Sequence, residues 1–332
     1  MIRADQLGQP RPVRWLLSDL VLQGELTHLD GREGIGKGLF CVYLAALTVE
    51  AGGGVIWLSA EDSPRDTIVP RLRAAGVSAE SLERVYFHAL DVPFSLEKDS
   101  RRLRDEVQRL GVDLIIVDPV KSYGGGSQLT PDSNNDLHAR ALMGPLSAIA
   151  QGTDISVVSV GHWRKGSDDL PAADRSHGSV GFRQVARGVV SMARRGEPGA
   201  ISLTKCNLGP TGYTVEFTIE TRHVEFDGGG DEYPVLQLGS QYDGDLDTWM
   251  RAQRGTAKRP SRDYAALAEA IHQQAATDGK LPSKSKVCNS EWSHKAFGKA
   301  VSEHAVRKAL GLLEGSGRAE RREGLGWYRT GG

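Results

Sequence analysis

Cysteine is scarce. Cys41, Cys206 and Cys288 are the only three in 332 residues, far apart and without a CxxC pair, which excludes a disulfide framework and a thiolate zinc site. Long apolar runs are also missing: nothing approaches the ~20 residues that span a bilayer, and the N-terminus has no signal-peptide core. A cytoplasmic location with no membrane partner is therefore expected. Net charge is nearly absent as well, at −1, but the balance is uneven. Residues 251–332 carry 16 Lys plus Arg against 8 Asp plus Glu, leaving 25 against 34 for residues 1–250. A basic tail on an acidic body favours a polyanion as the partner of the tail. What remains, 39% hydrophobic and 25% charged residues, is an ordinary globular composition, long enough for one large domain and one small one.

The most informative stretch is Gly31-Arg32-Glu33-Gly34-Ile35-Gly36-Lys37-Gly38. It follows the apolar run Leu26-Thr27-His28-Leu29 and precedes Leu39-Phe40-Cys41-Val42-Tyr43-Leu44, a strand, loop and helix in order. Glycines at 31, 34 and 36 let backbone N–H groups turn inward, and the helix N-terminus adds positive potential. Gly31, Glu33, Gly34, Ile35, Gly36, Lys37, Gly38 and Leu39 thus form an expected phosphate cradle, with Lys37 as the point charge. The spacing is that of GxxxxGK[ST] as far as its lysine. At the next position Gly38 has no hydroxyl to offer Mg2+.

Further strands end in polar residues. Val55-Ile56-Trp57-Leu58-Ser59 reads as a buried strand leading to Glu61 and Asp62. Glu61 is placed to orient or deprotonate an attacking water, while Asp62 or Ser63 caps the helix that follows. Val112-Asp113-Leu114-Ile115-Ile116-Val117-Asp118 is a second such strand, with Asp118 as the candidate for holding the metal or its water. Ile155 to Val160 is a third, followed by Gly161 and His162, and His162 is placed to sense an outer phosphate. The glycine-rich stretch Tyr123–Asn135 is expected to be functional or disordered, and Arg164–His177 to form a second polar loop. Arg164, Lys165 and Arg175 on the second are candidates to track a nucleic-acid backbone.

A mostly parallel sheet with a β-rich end over residues 1–240, a polar linker over 241–262 and a small domain over 263–332 complete the expected α/β architecture. In the small domain, helical apolar periodicity and an arginine-rich hairpin predict a winged-helix-like arrangement. Arg307 and Lys308 would lie on its recognition helix and Arg321 and Arg322 on its wing, for contact with duplex DNA or with a replication protein.

The order of these motifs, with Arg183-Gln184 and Lys205-Cys206-Asn207-Leu208-Gly209 downstream, resembles RecA-fold replicative helicases, above all the plasmid RepA type, and the DnaB type more distantly. The resemblance covers residues 10–240. It implies a RecA-like P-loop NTPase core using ATP and Mg2+, with Lys37 on the phosphates, Glu61 as catalytic base, Asp118 at the metal and His162 as phosphate sensor. It also implies a homo-hexameric ring around single-stranded DNA, in which Lys205 reaches into the neighbouring subunit's site. Asn207 stands where such helicases place an arginine finger, and Arg183 or Arg187 is the expected substitute. The implied activity is an ATP-driven DNA helicase or translocase of a plasmid, phage or mobile element. The competing reading is a nucleotide-gated DNA-binding or loading factor with little turnover, which Gly38 and Asn207 favour.

Overall fold

The computed structural model describes residues 3–6, 9, 11–89, 92–124, 136–163, 180–256, 264–273, 280–283, 287, 306, 309–311, 313–314, 318–322 and 326–330. They fall into two compact units, Met1–Gln253 and Arg254–Gly332. The first opens with an antiparallel pair, β1 (Trp15–Leu17) and β2 (Val21–Leu22), and enters β3 (Leu26–Gly31), the loop and helix α1 (Lys37–Glu50). Strand β4 (Val55–Ser59), the short helices α2 (Val69–Ala74) and α3 (Ala79–Leu82), β5 (Val85–Phe87), α4 (Leu96–Leu110), β6 (Leu114–Asp118), α5 (Asp136–Thr153) and β7 (Ser156–Val160) follow. Helix α6 (Val180–Val185) leads to β8 (Gly188–Arg194), β9 (Gly199–Cys206), the long β10 (Thr214–Phe226) and β11 (Gly229–Tyr242), and helix α7 (Leu246–Thr256).

These strands form one nine-stranded sheet in the order β11-β10-β9-β8-β3-β7-β6-β4-β5. Pairing is parallel from β5 to β8 and antiparallel from β8 to β11, which is the mostly parallel sheet with a β-rich end expected from the sequence. The central strands read as continuous apolar runs because both of their faces are covered. Successive side chains point to opposite faces. Val55, Trp57, Leu114 and Ile116 pack with Phe40, Leu44 and Val49 of α1 and Leu72 of α2. Ile56, Leu58, Ile115 and Val117 pack with Leu103 and Val107 of α4 and Leu142, Leu146 and Ile149 of α5. Burying such side chains contributes roughly 1.5–3 kcal/mol each, so this double-sided core dominates the stability of the unit.

Parallel pairing brings the carboxyl ends of β3, β4, β6, β7 and β8 to one edge of the sheet. Ser59 pairs with Asp118, Leu29 with Val160 and Gly31 with Met192. The segments after these strands, where the polar residues were expected, therefore converge.

The 241–262 stretch, expected as linker, is in part regular structure: β11 runs to Tyr242 and α7 starts at Leu246. Leu246, Trp249 and Met250 are buried with Trp163, Ala193 and Ala200, and Trp249 donates its indole N–H to Glu216 Oε1 at 2.8 Å. The polar residues between these apolar ones hid the amphipathic period.

In the second unit, α8 (Tyr264–Gln273) contributes Leu267, Ala268 and Ile271 to a core with Leu281, Val287, Val306, Leu310 and Leu313. An antiparallel hairpin, β12 (Ala319–Arg322) and β13 (Gly326–Arg329), adds Ala319 and Trp327. Among the described residues no helix is long and apolar enough to cross a membrane.

Candidate functional site

The turn from β3 into α1 is made by two glycines in the left-handed region, Gly34 at φ 74° and Gly36 at φ 106°, where a side chain would be strained. Gly31 meets a different demand: a Cβ there would come within 2.8 Å of the Met192 carbonyl on β8. The loop can therefore wind tightly and present its N–H groups and the start of α1 to an anion. Lys37 lies buried under the loop, its Nζ donating to the carbonyls of Gly31 at 3.1 Å and Arg32 at 2.7 Å. Burial pushes this ammonium below the usual lysine range, while Asp118 and Asp30 pull it back up.

In front of the loop lies a cavity of about 430 Å³. Its lining includes Glu33, Gly34, Gly36, Lys37, Gly38 and Leu39 from the loop and α1, Glu61 and Asp62 beyond β4, Asp118 at the end of β6 and His162 beyond β7. Lys37, Glu61, Asp118 and His162, singled out in the sequence one strand at a time, share one space. Gly31 and Ile35 of the expected cradle are buried behind it: Gly31 abuts Met192, and Ile35 joins the core of the α1 face. Burial, and then the neighbouring Glu61, push the Asp118 carboxyl up to about 6, with Lys37 and Arg71 pulling the other way. Chemically, the arrangement offers backbone donors and a buried cation to a phosphorylated ligand, with carboxylates lining the same cavity.

Four residues of the cavity lining carried no local signal. Arg71 of α2 reaches back to Asp62, Nη1 to Oδ2 at 2.8 Å. Arg194 closes β8 and bonds Glu197 and the Gly196 carbonyl. Ile219 and Pro234 come from the β10–β11 hairpin. All four arrive through tertiary packing from distant segments, so neither spacing nor motif points to them. Ser63, weighed beside Asp62 as a helix cap, does cap: its Oγ accepts from the Asp66 amide at 3.2 Å. Asp62 is left to Arg71.

Two expected roles meet a different geometry. Arg183, expected in place of an arginine finger, is turned inward and buried, with Nη1 3.3 Å from Asp30 Oδ2 and Nη2 3.3 Å from Thr204 Oγ1. The cause is Asp30, wholly buried in β3, whose other oxygen accepts from Trp163 Nε1 at 2.9 Å. A buried carboxylate needs a cation, and Arg183 supplies it. An aspartate inside an apolar strand was the signal that could have revealed this pairing. Lys205, expected to reach a neighbouring subunit, bonds within its own chain to the carbonyls of Arg183, Gln184 and Ala186 at the end of α6. Arg187 is exposed, as is Asn207. Arg164, Lys165, Arg175, Arg307 and Lys308 lie outside the described residues, as does the side chain of Arg321. Arg322 bonds Glu320 at 2.7 Å and lies over the Tyr328 ring at 4.4 Å.

The family described as AAA domain matches residues 2–168. The DNA repair protein RadA of Mycobacterium tuberculosis, in strains CDC 1551 / Oshkosh and ATCC 25618 / H37Rv, is 26% identical over 157 residues, covering 47% of this chain and 30% of the relative. The chain thus spans under a third of the length of these curated relatives. Among solved structures, an ATPase domain aligns with a TM-score of 0.47 and 14% identity, over 58% of this chain and 80% of that one. The family match covers half of the sequence and takes in the phosphate loop and three of the strand ends that line the cavity: the chain belongs to the AAA domain family.

Proposed function

We propose that this chain is a DNA-directed ATPase, and that it works as a ring-forming helicase or translocase on single-stranded DNA during replication of a plasmid, phage or mobile element. The observation that carries the reading is the shared cavity of Lys37, Glu61, Asp118 and His162. A protein that only bound nucleotide would need the loop and the lysine but not a water-orienting carboxylate such as Glu61 in the same cavity. The name of the curated relative, a DNA repair protein, supports DNA as the partner.

The residues fit ATP. The glycines with positive φ and the start of α1 offer amides to the phosphates, and Lys37, held by two carbonyls, is a cation ready to exchange one of them for a phosphate oxygen. They also fit Mg2+ brought in by the nucleotide, since Asp118 faces the loop from β6. When bound, the ion would neutralise charge on the outer phosphates. Glu61, exposed at the cavity mouth, orients the attacking water and accepts its proton. His162, beyond the end of β7, reads the outer phosphate. Arg164, Lys165 and Arg175, which follow His162 in the sequence, are the cations that meet the DNA backbone in this reading.

The second reading is a nucleotide-gated loading or regulatory factor with little turnover. Gly38 without a hydroxyl, Asn207 in place of an arginine and Arg183 engaged with Asp30 favour it. The test compares phosphate release by the wild type and Glu61→Gln, with and without single-stranded DNA. The motor reading expects DNA-stimulated release that falls in the variant by on the order of 10²-fold or more. Equal release by both proteins would sink the motor and leave the gated factor. The solution mass with and without ATP and Mg2+ tests the ring.

A further inference from the structure

Gly38 stands where the loop pattern places a hydroxyl, and the structure shows what faces that position. A Cβ built on Gly38 lies 3.7 Å from Asp62 Oδ2, 3.9 Å from Arg71 Nη1 and 4.0 Å from Asp118 Oδ2. Two carboxylate oxygens and a guanidinium thus border the space a serine or threonine side chain would enter, and none crowds it. Asp62 and Arg71 are bonded at 2.8 Å, with Asp62 41% and Arg71 25% exposed in their side chains. Among the described residues no group of three acids, histidines or cysteines can hold a metal unaided. A divalent ion here must arrive with phosphate oxygens and needs one or two protein oxygens beside them.

We propose that Asp62 takes over the ligand place left open at Gly38, so that Asp62 and Asp118 together hold the divalent cation of a bound nucleoside triphosphate. Arg71 is the counter-ion of Asp62 until then. On loading, Asp62 exchanges Arg71 for the metal, and Arg71, already on the cavity wall, is released toward the phosphates. A carboxylate restores the missing oxygen and adds a negative charge, so the loss of the loop hydroxyl does not mean the loss of the metal. The inference rests on the nucleotide reading above.

The experiment measures binding of a fluorescent ATP analogue to the full chain with and without Mg2+, and takes the ratio of the two affinities, in which a general weakening of nucleotide binding cancels. Mg2+ is expected to tighten binding to the wild type, and the ratio is expected to fall by about 10-fold or more in Asp62→Asn. Gly38→Ser in the Asp62→Asn background should restore it, because the built Cβ meets only ordinary contacts. Arg71→Ala should lower the Mg2+ concentration needed for half of the effect, an outcome a purely structural ion pair would not give. An Asp62→Asn ratio equal to that of the wild type overturns the proposal, and so does Arg71→Ala needing more Mg2+, even if Asp62→Asn fails to fold. A wild type that binds the analogue equally well with and without Mg2+ overturns it while sparing the nucleotide reading. A wild type that binds no analogue at all removes that reading itself.

Discussion

Asp118 has to carry charge in a place that resists it. Burial, with Glu61 close by, raises its carboxyl from 3.8 to about 6, and Lys37 and Arg71 only partly offset this. The sign of the pH dependence follows from linkage. A carboxyl with a raised folded-state value contributes its full stability below the ordinary value near 3.8, and loses it as pH rises through about 6. The ligand-free protein is therefore expected to be held back by ionised Asp118 at pH 8. Asp118→Asn should melt higher there, by ~2–4 °C for an effect of about 1 kcal/mol. The advantage should shrink by pH 5, and Mg2+-dependent nucleotide binding should be lost in the same variant. A variant that melts lower than the wild type at pH 8 would show that Lys37 and Arg71 more than compensate for burial. At this scale, Lys37, Glu61, Asp118 and His162 were legible because each sits next to a local signature, a glycine loop or the end of an apolar run. Arg71 and Asp30 were not: Arg71 meets Asp62 only because α2 folds back onto the end of β4, and Asp30 takes Arg183 and Trp163 from far along the chain.

Among the elements, α6 shows how a short helix is fixed. It spans only Val180–Val185, and a helix this short is unstable on its own. Its last carbonyls are gathered by the ammonium of Lys205 on β9, a cation at the negative end of a helix. Its Phe182 stacks on His28 of β3 at 5.6 Å. His28, wholly buried, bonds Ser159 Oγ at 3.0 Å, and burial lowers it to about 4, so the ring is neutral at physiological pH. The same ring makes Gly161 necessary, since a Cβ there would lie 2.8 Å from it. Lys205→Met is expected to cost about 1–2 kcal/mol in a thermal melt, by uncapping α6. An unchanged melting temperature with reduced DNA-stimulated turnover would instead return Lys205 to a role across a subunit boundary. The strands and α1 were legible from their apolar runs and the loop between them, whereas α7 was hidden by the polar residues around Trp249.

At the scale of the whole chain there are two compact units. Residues 1–253 hold the sheet and the cavity, and Arg254–Gly332 has its own core around Ile271, Leu310 and Leu313. A chain ending after Gln253 is expected to keep the melting behaviour of the first unit. One ending after Ser240 should lose roughly 3–5 kcal/mol, because Trp249 leaves its buried place against Trp163 and Ala200. Equal melting of the two fragments would mean that α7 is peripheral. The fragment ending after Gln253 should also bind DNA more weakly than the full chain, most visibly at low salt, as expected when a basic unit contacts phosphates. Unchanged affinity would reassign the second unit to protein docking.

The sequence by itself determined the phosphate loop, the apolar strands and the acids at their ends. These are short-range patterns, since a glycine spacing or a buried run acts on its immediate neighbours in the chain. Which of those ends face one another, that Arg183 turns inward to neutralise Asp30, and that Asp62, Arg71 and Asp118 surround the open position at Gly38 were decided by the tertiary structure alone. Strand order and parallel register set those distances, and a buried charge takes whichever partner the fold brings within reach.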